Sequence, residues 1–222
     1  MDARLSIVVP ALNEAAGIER CLRALAPLRA RGHEVIVADG GSEDGTPRLA
    51  APLADRVVAA PRGRAPQMNA GAAAASGDAL LFLHADTILP AHADRAVLAA
   101  LASRAWGRFD VSIDSRDARL AVVGFCMNWR SRLTGIATGD QAIFVRRAAF
   151  PGFPAIALME DVEFCKRMRP ISAPACLRAR VSTSARRWER RGVLRTVLLM
   201  WRLRLQYWLG ADPDELARRY SH

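Results

Sequence analysis

The 222-residue sequence is poor in several features that would direct a chain of this length to common functions. Its four cysteines, Cys21, Cys126, Cys165 and Cys176, lie far apart and form no Cys-x-x-Cys pair. That spacing speaks against a zinc site and against a disulfide framework, and it fits a reducing compartment. No run reaches the roughly 18 uninterrupted apolar residues of a spanning helix. The first apolar run, residues 5–10, is too short for a secretory h-region and lacks a small-residue cleavage site. The expected location is therefore cytoplasmic. Lysine is almost missing, with Lys166 the only one. The Gly-x-Gly-x-x-Gly that follows the first strand of a dinucleotide-binding domain is absent, and Pro10-Ala11-Leu12-Asn13-Glu14 stands there instead. This argues against NAD or FAD held on the first helix N-terminus. Internal repeats and low-complexity linkers are also lacking.

What is present is globular and basic. Hydrophobic residues make up 51% and charged residues 24%, a composition that can bury a core. The net charge is +10. Residues 180–222 hold ten arginines against Glu189, Asp212, Asp214 and Glu215, so most of the excess sits in the last fifth of the chain. A basic surface favours anionic partners: nucleotide diphosphates, phospholipid head groups or nucleic acid.

Apolar periodicity predicts strands over 5–10, 34–38, 56–59 and 79–83, alternating with helices over 14–28, 45–53 and 65–75. Such alternation means a parallel sheet covered on both faces, with the ligand at the carboxyl ends of the strands. The segments at those ends, 11–14, 39–42, 62–69 and 84–86, are all polar. Further on, the pattern predicts helices over 93–103, 120–133 and 160–168 and strands over 106–113 and 143–146. A long basic helix over 190–209 and a short one over 213–220 complete the chain. This divides it into a nucleotide-binding α/β domain, residues 1–189, and a basic amphipathic helix and tail, 190–222, packed on it.

Each polar segment has a chemical reading and a plain one. Asn13 and Glu14 suit a ligand edge, and equally a helix cap and first-turn acid. Asp39 followed by Gly40 and Gly41 lets carboxylate and backbone approach a flat ligand, and equally makes an ordinary turn. Arg62 and Arg64 precede a helix start, where phosphate is attracted, or form a solvated basic loop. His84 and Asp86 lie two apart at a strand end, where Asp86 can hold a divalent metal bridging a diphosphate. Glu160 and Asp161 suit a general base or simply the helix dipole. Arg187 and Trp188 offer a phosphate contact beside a flat apolar wall, or a surface arginine beside a core tryptophan.

The order of these segments resembles the family 2 glycosyltransferases, inverting enzymes of the GT-A fold, from about residue 5 to residue 188. Ser6-Ile7-Val8-Val9-Pro10-Ala11-Leu12-Asn13-Glu14 looks like that family's opening strand and loop. Residues 34–46 look like its nucleotide loop, in which Asp39 would meet the base. His84-Ala85-Asp86 occupies the place of its Asp-x-Asp metal motif. Gly139-Asp140-Gln141 matches the stretch leading to the acceptor side, and Glu160-Asp161 matches the pair whose Asp is the catalytic base. Arg187-Trp188 is similar to the end of the Gln-x-x-Arg-Trp motif of processive members.

The resemblance implies a GT-A sheet flanked by helices, with a C-terminal helical appendage. It implies sugar transfer from a nucleotide-diphosphate donor, with UDP the expected nucleotide, to an acceptor hydroxyl with inversion. Pro10, Asn13, Glu14, Asp39, Gly40, Arg62, Arg64 and Asn69 would bind the nucleotide. Asp86, with His84 beside it, would hold Mg or Mn. Asp161 would be the base, with Asp140, Gln141, Glu160, Arg187 and Trp188 on the acceptor side. His84 departs from the family's first Asp, and Ser184 from its Gln, which speaks against a processive synthase. The alternatives are a nucleotidyltransferase, which would need a glycine-rich, lysine-containing loop after the first strand, and a non-catalytic nucleotide-sugar-binding protein. A nucleic-acid partner is not expected, because it needs no acidic strand ends.

In the 190–209 helix, Leu194, Leu198, Trp201, Leu205 and Trp208 form one apolar stripe, with Arg195, Arg202 and Gln206 expected opposite. The stripe is expected to pack on the domain. The alternative is peripheral contact with an anionic membrane.

Overall fold

The computed structural model describes residues 3–221; the outer limits of the two predicted units, residues 1–2 and 222, lie outside it. Eight strands alternate with helices. The strands are β1 (Leu5–Ala11), β2 (Glu34–Asp39), β3 (Arg56–Ala59), β4 (Ala79–Phe82), β5 (Thr87–Ile88), β6 (Trp106–Asp114), β7 (Phe144–Arg146) and β8 (Ala175–Ser184). The helices of the first half are α1 (Ile18–Ala30), α2 (Thr46–Ala50), α3 (Arg64–Ala74) and α4 (Ala93–Ser103). Those of the second are α5 (Ala118–Thr134), α6 (Glu160–Met168), α7 (Arg186–Arg191), α8 (Val193–Trp208) and α9 (Pro213–Ser221).

One sheet runs in the order β3-β2-β1-β4-β7-β6-β8-β5. β3, β2, β1 and β4 are mutually parallel, and β7 is antiparallel to both β4 and β6. β1, β2 and β4 are buried almost throughout, so they read as unbroken apolar runs rather than alternations. Because β1 pairs with β2 on one side and β4 on the other, the strand order reverses there and opens a crevice at the carboxyl ends. β7 runs the opposite way, so the residues that precede it lie at the same edge as the end of β4.

One core layer joins α1, α2 and α4 to one face of the sheet, and the other joins α3 and α6 to the opposite face. α3 can approach β1 closely because position 71 has no side chain: a Cβ there would lie 2.3 Å from Val8 Cγ1. At the amino ends of the strands, Glu34 is buried and accepts from Ser6 Oγ at 2.7 Å and Ser76 N at 2.9 Å. Burial works against its ionisation, but those bonds outweigh it and hold its pKa below the ordinary carboxylate range.

Several features depart from the sequence reading, the shortest being the two-residue β5, which was not expected and pairs with β8. β8 was not expected, because Arg178 and Arg180 interrupt its apolar pattern. It pairs with β6 through a register shift after Phe109 and still closes that part of the sheet. The single helix over 190–209 is two, broken at Gly192 with φ +80°. And the apolar stripe of α8 is not the packing surface: α8 rests on the domain through Val193, Thr196 and Leu203, while the stripe faces outward. Arg195 and Arg202, at about 100° per residue, flank the stripe instead of opposing it.

The α3–β1 contact gives a direct test. Gly71→Ala should destabilise the fold by about 1–3 kcal/mol through overpacking. Combining it with Val8→Ala should recover part of that loss, since the two side chains share one space. Thermal unfolding of the single and double variants measures both effects; strict additivity would mean that the two positions do not compete.

Candidate active site

One half of the crevice is built by locking two strand-end loops together. Asn13 adopts φ +54°; its backbone N–H donates to Ser42 Oγ at 2.9 Å and its side-chain oxygen accepts from Glu43 N at 2.9 Å. Glu14 N donates to Thr46 Oγ1 at 2.9 Å, and Ala15 N to Asp44 Oδ2 at 2.9 Å. Beneath them lies Gln67, a residue that the sequence reading did not single out. It is buried, and its amide donates to Ala11 O at 2.6 Å and Ala38 O at 3.0 Å, tying the ends of β1 and β2. Gly40 sits on it so closely that a Cβ would lie 2.9 Å from the Gln67 amide.

Asp39 ends β2 and is buried. Its Oδ2 accepts from the backbone of Gly41 and Ser42, each at 3.0 Å. Its Oδ1 is buried and has no hydrogen-bond partner. An orphaned buried acceptor is costly unless something donates to it, so this atom is available for a ligand N–H or hydroxyl. Pro10, near the end of β1, is half-buried beside it in register with Ala38.

Asp86 follows β4. Its side chain keeps 31% of its surface, and Arg186 Nη2 lies 3.7 Å from it. The same guanidinium reaches Glu14 Oε2 at 3.3 Å, so one cation bridges the loops after β1 and β4. Arg186 also borders a cleft of about 100 Å³ with Asp86, Asp114 and Arg20. Its neighbour Arg187 drew the attention in the sequence, but Arg186 is the one aimed at Asp86. His84, expected beside Asp86, turns to the other half of the crevice: Nδ1 lies 3.2 Å from Asp140 Oδ1.

The other half gathers three carboxylates. Asp140 lies in a short turn, Gly139–Gln141, immediately ahead of β7. Glu160 and Asp161 open α6, behind Met159 at φ +71°. Asp161 Oδ2 accepts from Gly139 N at 3.0 Å and Oδ1 from Val162 N at 2.7 Å. His84, Gly139, Glu160 and Asp161 line one small cavity with Phe82 and Phe153. A side chain at position 139 would displace the His84 ring, for a Cβ there would meet His84 Nε2.

Burial alone would neutralise these acids, yet it acts on them unequally. Asp140 is held well below the ordinary range because the His84 hydrogen bond and charge, with Arg187 and Arg64, overcome its burial. Glu160 is pushed up by burial and by the charge of Asp161, against which Arg64 acts from 4.0 Å. Asp161 is raised by burial, offset in part by the Gly139 bond and Arg64. Arg64 stays cationic against burial because Glu160, Asp140 and Asp161 surround it. Arg130, unremarked in the sequence, reaches into the same field from α5, with buried Nε and Nη2 lacking hydrogen-bond partners.

Several predicted residues turn out to hold the site instead of facing it. Gln141 is fully buried, its amide donating to Asn128 Oδ1 at 3.3 Å and Ser131 Oγ at 3.1 Å, so it anchors the Asp140 turn to α5. Asn69 is engaged at both ends of its amide by the backbone of Phe153, at 2.8 Å each. Trp188 packs with Ile113, Leu120, Ala185 and Val193. Arg62 stands exposed ahead of α3, with no ion pair among the described residues.

A pH dependence of stability follows. Glu160 has a folded pKa above its unfolded one, so the wild type loses stability as pH rises above the unfolded value of about 4.3. Glu160→Gln has no such loss. Its melting temperature relative to wild type should therefore climb between pH 4 and pH 8, and a flat or falling difference would contradict the assigned direction.

The geometry can be set beside known proteins. The model of glycosyl transferase family 2 matches residues 6–149. No curated protein sequence matches the chain. Among solved structures, it is similar to glucosyl-3-phosphoglycerate synthase from Mycobacterium tuberculosis in complex with Mn2+, UDP and glucosyl-3-phosphoglycerate. That match has TM-score 0.60 and 22% identity over 81% of this chain and 71% of that one. The same synthase with Mg2+ and UDP gives 0.62 and 21%, over 82% and 70%. S. aureus TarS 1-349 in complex with UDP-GlcNAc gives 0.67 and 18%, over 82% and 58%. At such identities the likeness is one of fold, the GT-A arrangement.

Proposed function

The chain belongs to glycosyl transferase family 2, and from that premise we propose that it transfers a sugar from a UDP-sugar to an acceptor hydroxyl with inversion at the anomeric carbon. The enzyme is a glycosyltransferase, so the nucleotidyltransferase and non-catalytic alternatives fall away. One observation carries the detail: Asp39, Asp86 and the Asp140–Asp161 cluster lie along a single sheet edge, after β2, after β4 and ahead of β7. That order presents an acceptor for a nucleobase, a ligand for diphosphate charge and a half-buried general base in sequence along one crevice.

Asp39 Oδ1, unpartnered and buried, would accept from the nucleotide base, with Pro10 and Gly40 shaping the slot. Asn13 and the backbone of Glu14 would keep the loop rigid. Arg62 and Arg64 would face the diphosphate from the start of α3, and Arg186 would add a third cation beside Asp86.

Among the described residues no group of three His, Cys, Asp or Glu side chains could hold a metal ion. The donor set does fit a hard divalent cation that takes one carboxylate, Asp86, and completes its shell with diphosphate oxygens and water, as Mg or Mn does. Such an ion would neutralise charge on the leaving diphosphate. His84, turned to Asp140, would instead fix the acceptor side. Asp161 would take the proton from the acceptor hydroxyl as its oxygen attacks the anomeric carbon opposite the diphosphate. The family match ends at residue 149, so the roles of Asp161 and Arg187 rest on position and charge. A cytoplasmic location and contact of the C-terminal segment with anionic membrane belong to the same proposal. No described helix is long and apolar enough to cross a membrane.

Hydrolysis of UDP-sugars with and without Mn2+ tests the reading; activity untouched by EDTA would leave neutralisation to the arginines. In calorimetry, Asp39→Ala should weaken UDP binding by about 1–3 kcal/mol. Asp161→Asn should abolish transfer while leaving UDP affinity near wild type. Near-normal turnover in that variant would move the base to another residue, Glu160 or Asp140.

A further inference from the structure

Exposed apolar side chains on this protein are not scattered. Eleven large hydrophobic residues are exposed among the described residues, and ten of them lie on α5, on α8 or directly after α8. On α8 they are the stripe from Leu194 to Trp208, followed by Leu209; Trp201 keeps 70% of its surface and Trp208 79%. On α5 they are Val122, Phe125, Trp129 and Leu133, spaced at three, four and four residues and so on one face. Phe125 and Trp129 contact each other edge to face, with centroids 6.2 Å apart.

Both helices reach the same two apolar clusters. Leu120 and Val123, in the first turns of α5, share an apolar cluster with Val193 at the start of α8. Ile136, just past the end of α5, shares another with Leu199 and Leu203. The helices that carry the two stripes are therefore tied to the same two clusters, one at the start of α5 and one just past its end. α5 and α8 contain no aspartate or glutamate between them. Arg195 and Arg202 are exposed on the flank of the α8 stripe, with no ion pair among the described residues, and Arg190 is exposed just before it.

We propose that α5 and α8 together form a docking face for an anionic lipid bilayer, with Phe125, Trp129, Trp201 and Trp208 entering the interface and the flanking arginines meeting lipid phosphate. Charge selects this occupant. A second copy laid on the same face would set arginine against arginine with no acid to offset it, whereas anionic head groups complement it. Aromatic and leucine side chains on an apolar stripe bordered by arginine are the chemistry that settles at a membrane interface without crossing it. The proposal rests on the membrane contact suggested for the C-terminal segment and extends it to α5, which the sequence did not single out. It has a consequence for the catalytic half. The inward side of α5 holds the Asp140 turn through Asn128 and Ser131, and Tyr207 of α8 bonds to Glu163 of α6 at 2.5 Å. The helices that would touch lipid are therefore those that back the carboxylate cluster.

The test is sedimentation of the full chain with phosphatidylcholine vesicles containing phosphatidylglycerol, against pure phosphatidylcholine vesicles, in the absence of donor and acceptor. Binding should require the anionic lipid and weaken with salt. It should fall at least about tenfold in Phe125→Ser/Trp129→Ser, and likewise in Trp201→Ser/Trp208→Ser. All four side chains are exposed, so circular dichroism should show both variants folded. Attraction by net charge alone would survive the serine substitutions, and that result would overturn the proposal. So would failure to sediment with anionic vesicles at low salt. Analytical ultracentrifugation showing a dimer that the same substitutions dissolve would assign the face to a second copy and equally overturn it. UDP calorimetry on the same samples separates this from the catalytic reading: intact UDP binding without vesicle binding sinks the docking face alone, and the reverse sinks the nucleotide site alone.

Discussion

Three carboxylates in one partly dehydrated wall set the constraint on which one half of the crevice depends. Asp140, Glu160 and Asp161 repel one another, and burial disfavours each charge. They remain together because Arg64 and Arg187 bring positive charge to the cluster and His84 bonds to Asp140 alone. Asp140 receives the closest partner and stays ionised, whereas Glu160 and Asp161 are left raised. The consequence is differentiation: Asp140 is held toward its ionised form, whereas Glu160 and Asp161 are pushed toward the neutral one. The same field explains why Arg64 and Arg130 tolerate their surroundings.

Holding those charges in place requires backbone that cannot relax. Gly139 has no room for a side chain against His84, and the N–H of that residue fixes Asp161. Gln141 pins the turn to α5, and Asn69 pins the Phe153 segment to α3. The nucleotide half is built on the same plan with different parts. Gln67 joins the ends of two strands, and Asn13 and Asp44 lock the loops that follow them. In both halves side-chain amides do most of the fixing, with Gln67 and Gln141 buried among them.

α5 and α8 show how one element can serve two surroundings. Their inward sides carry polar residues: Asn128 and Ser131 hold the Asp140 turn, and Thr196 bonds back to Gly192. Their outward sides are apolar and edged with arginine. An ordinary amphipathic surface helix turns its apolar stripe toward the core. Here the stripe points away from it, and the protein's basic excess gathers along the same segment.

The sequence by itself determined the parallel half of the sheet, because buried strands write themselves as short apolar runs punctuated by polar turns. It also set Asp39 at the end of β2 and Asp86 after β4, because the order of those turns is carried by chain position alone. It missed β8, whose arginines disrupt the apolar pattern and whose place depends on pairing with a distant strand. It could not show that Asn69, Gln141 and Trp188 support the site, since an amide or indole near a motif looks the same whether it faces a ligand or a backbone. Gln67, Arg186 and Arg130 were equally hidden, because their partners lie tens of residues away in the chain. Periodicity found the stripe of α8 but not the direction it faces. That direction was decided by the tertiary structure, where Val193, Thr196 and Leu203 find the domain and leave the stripe to the outside.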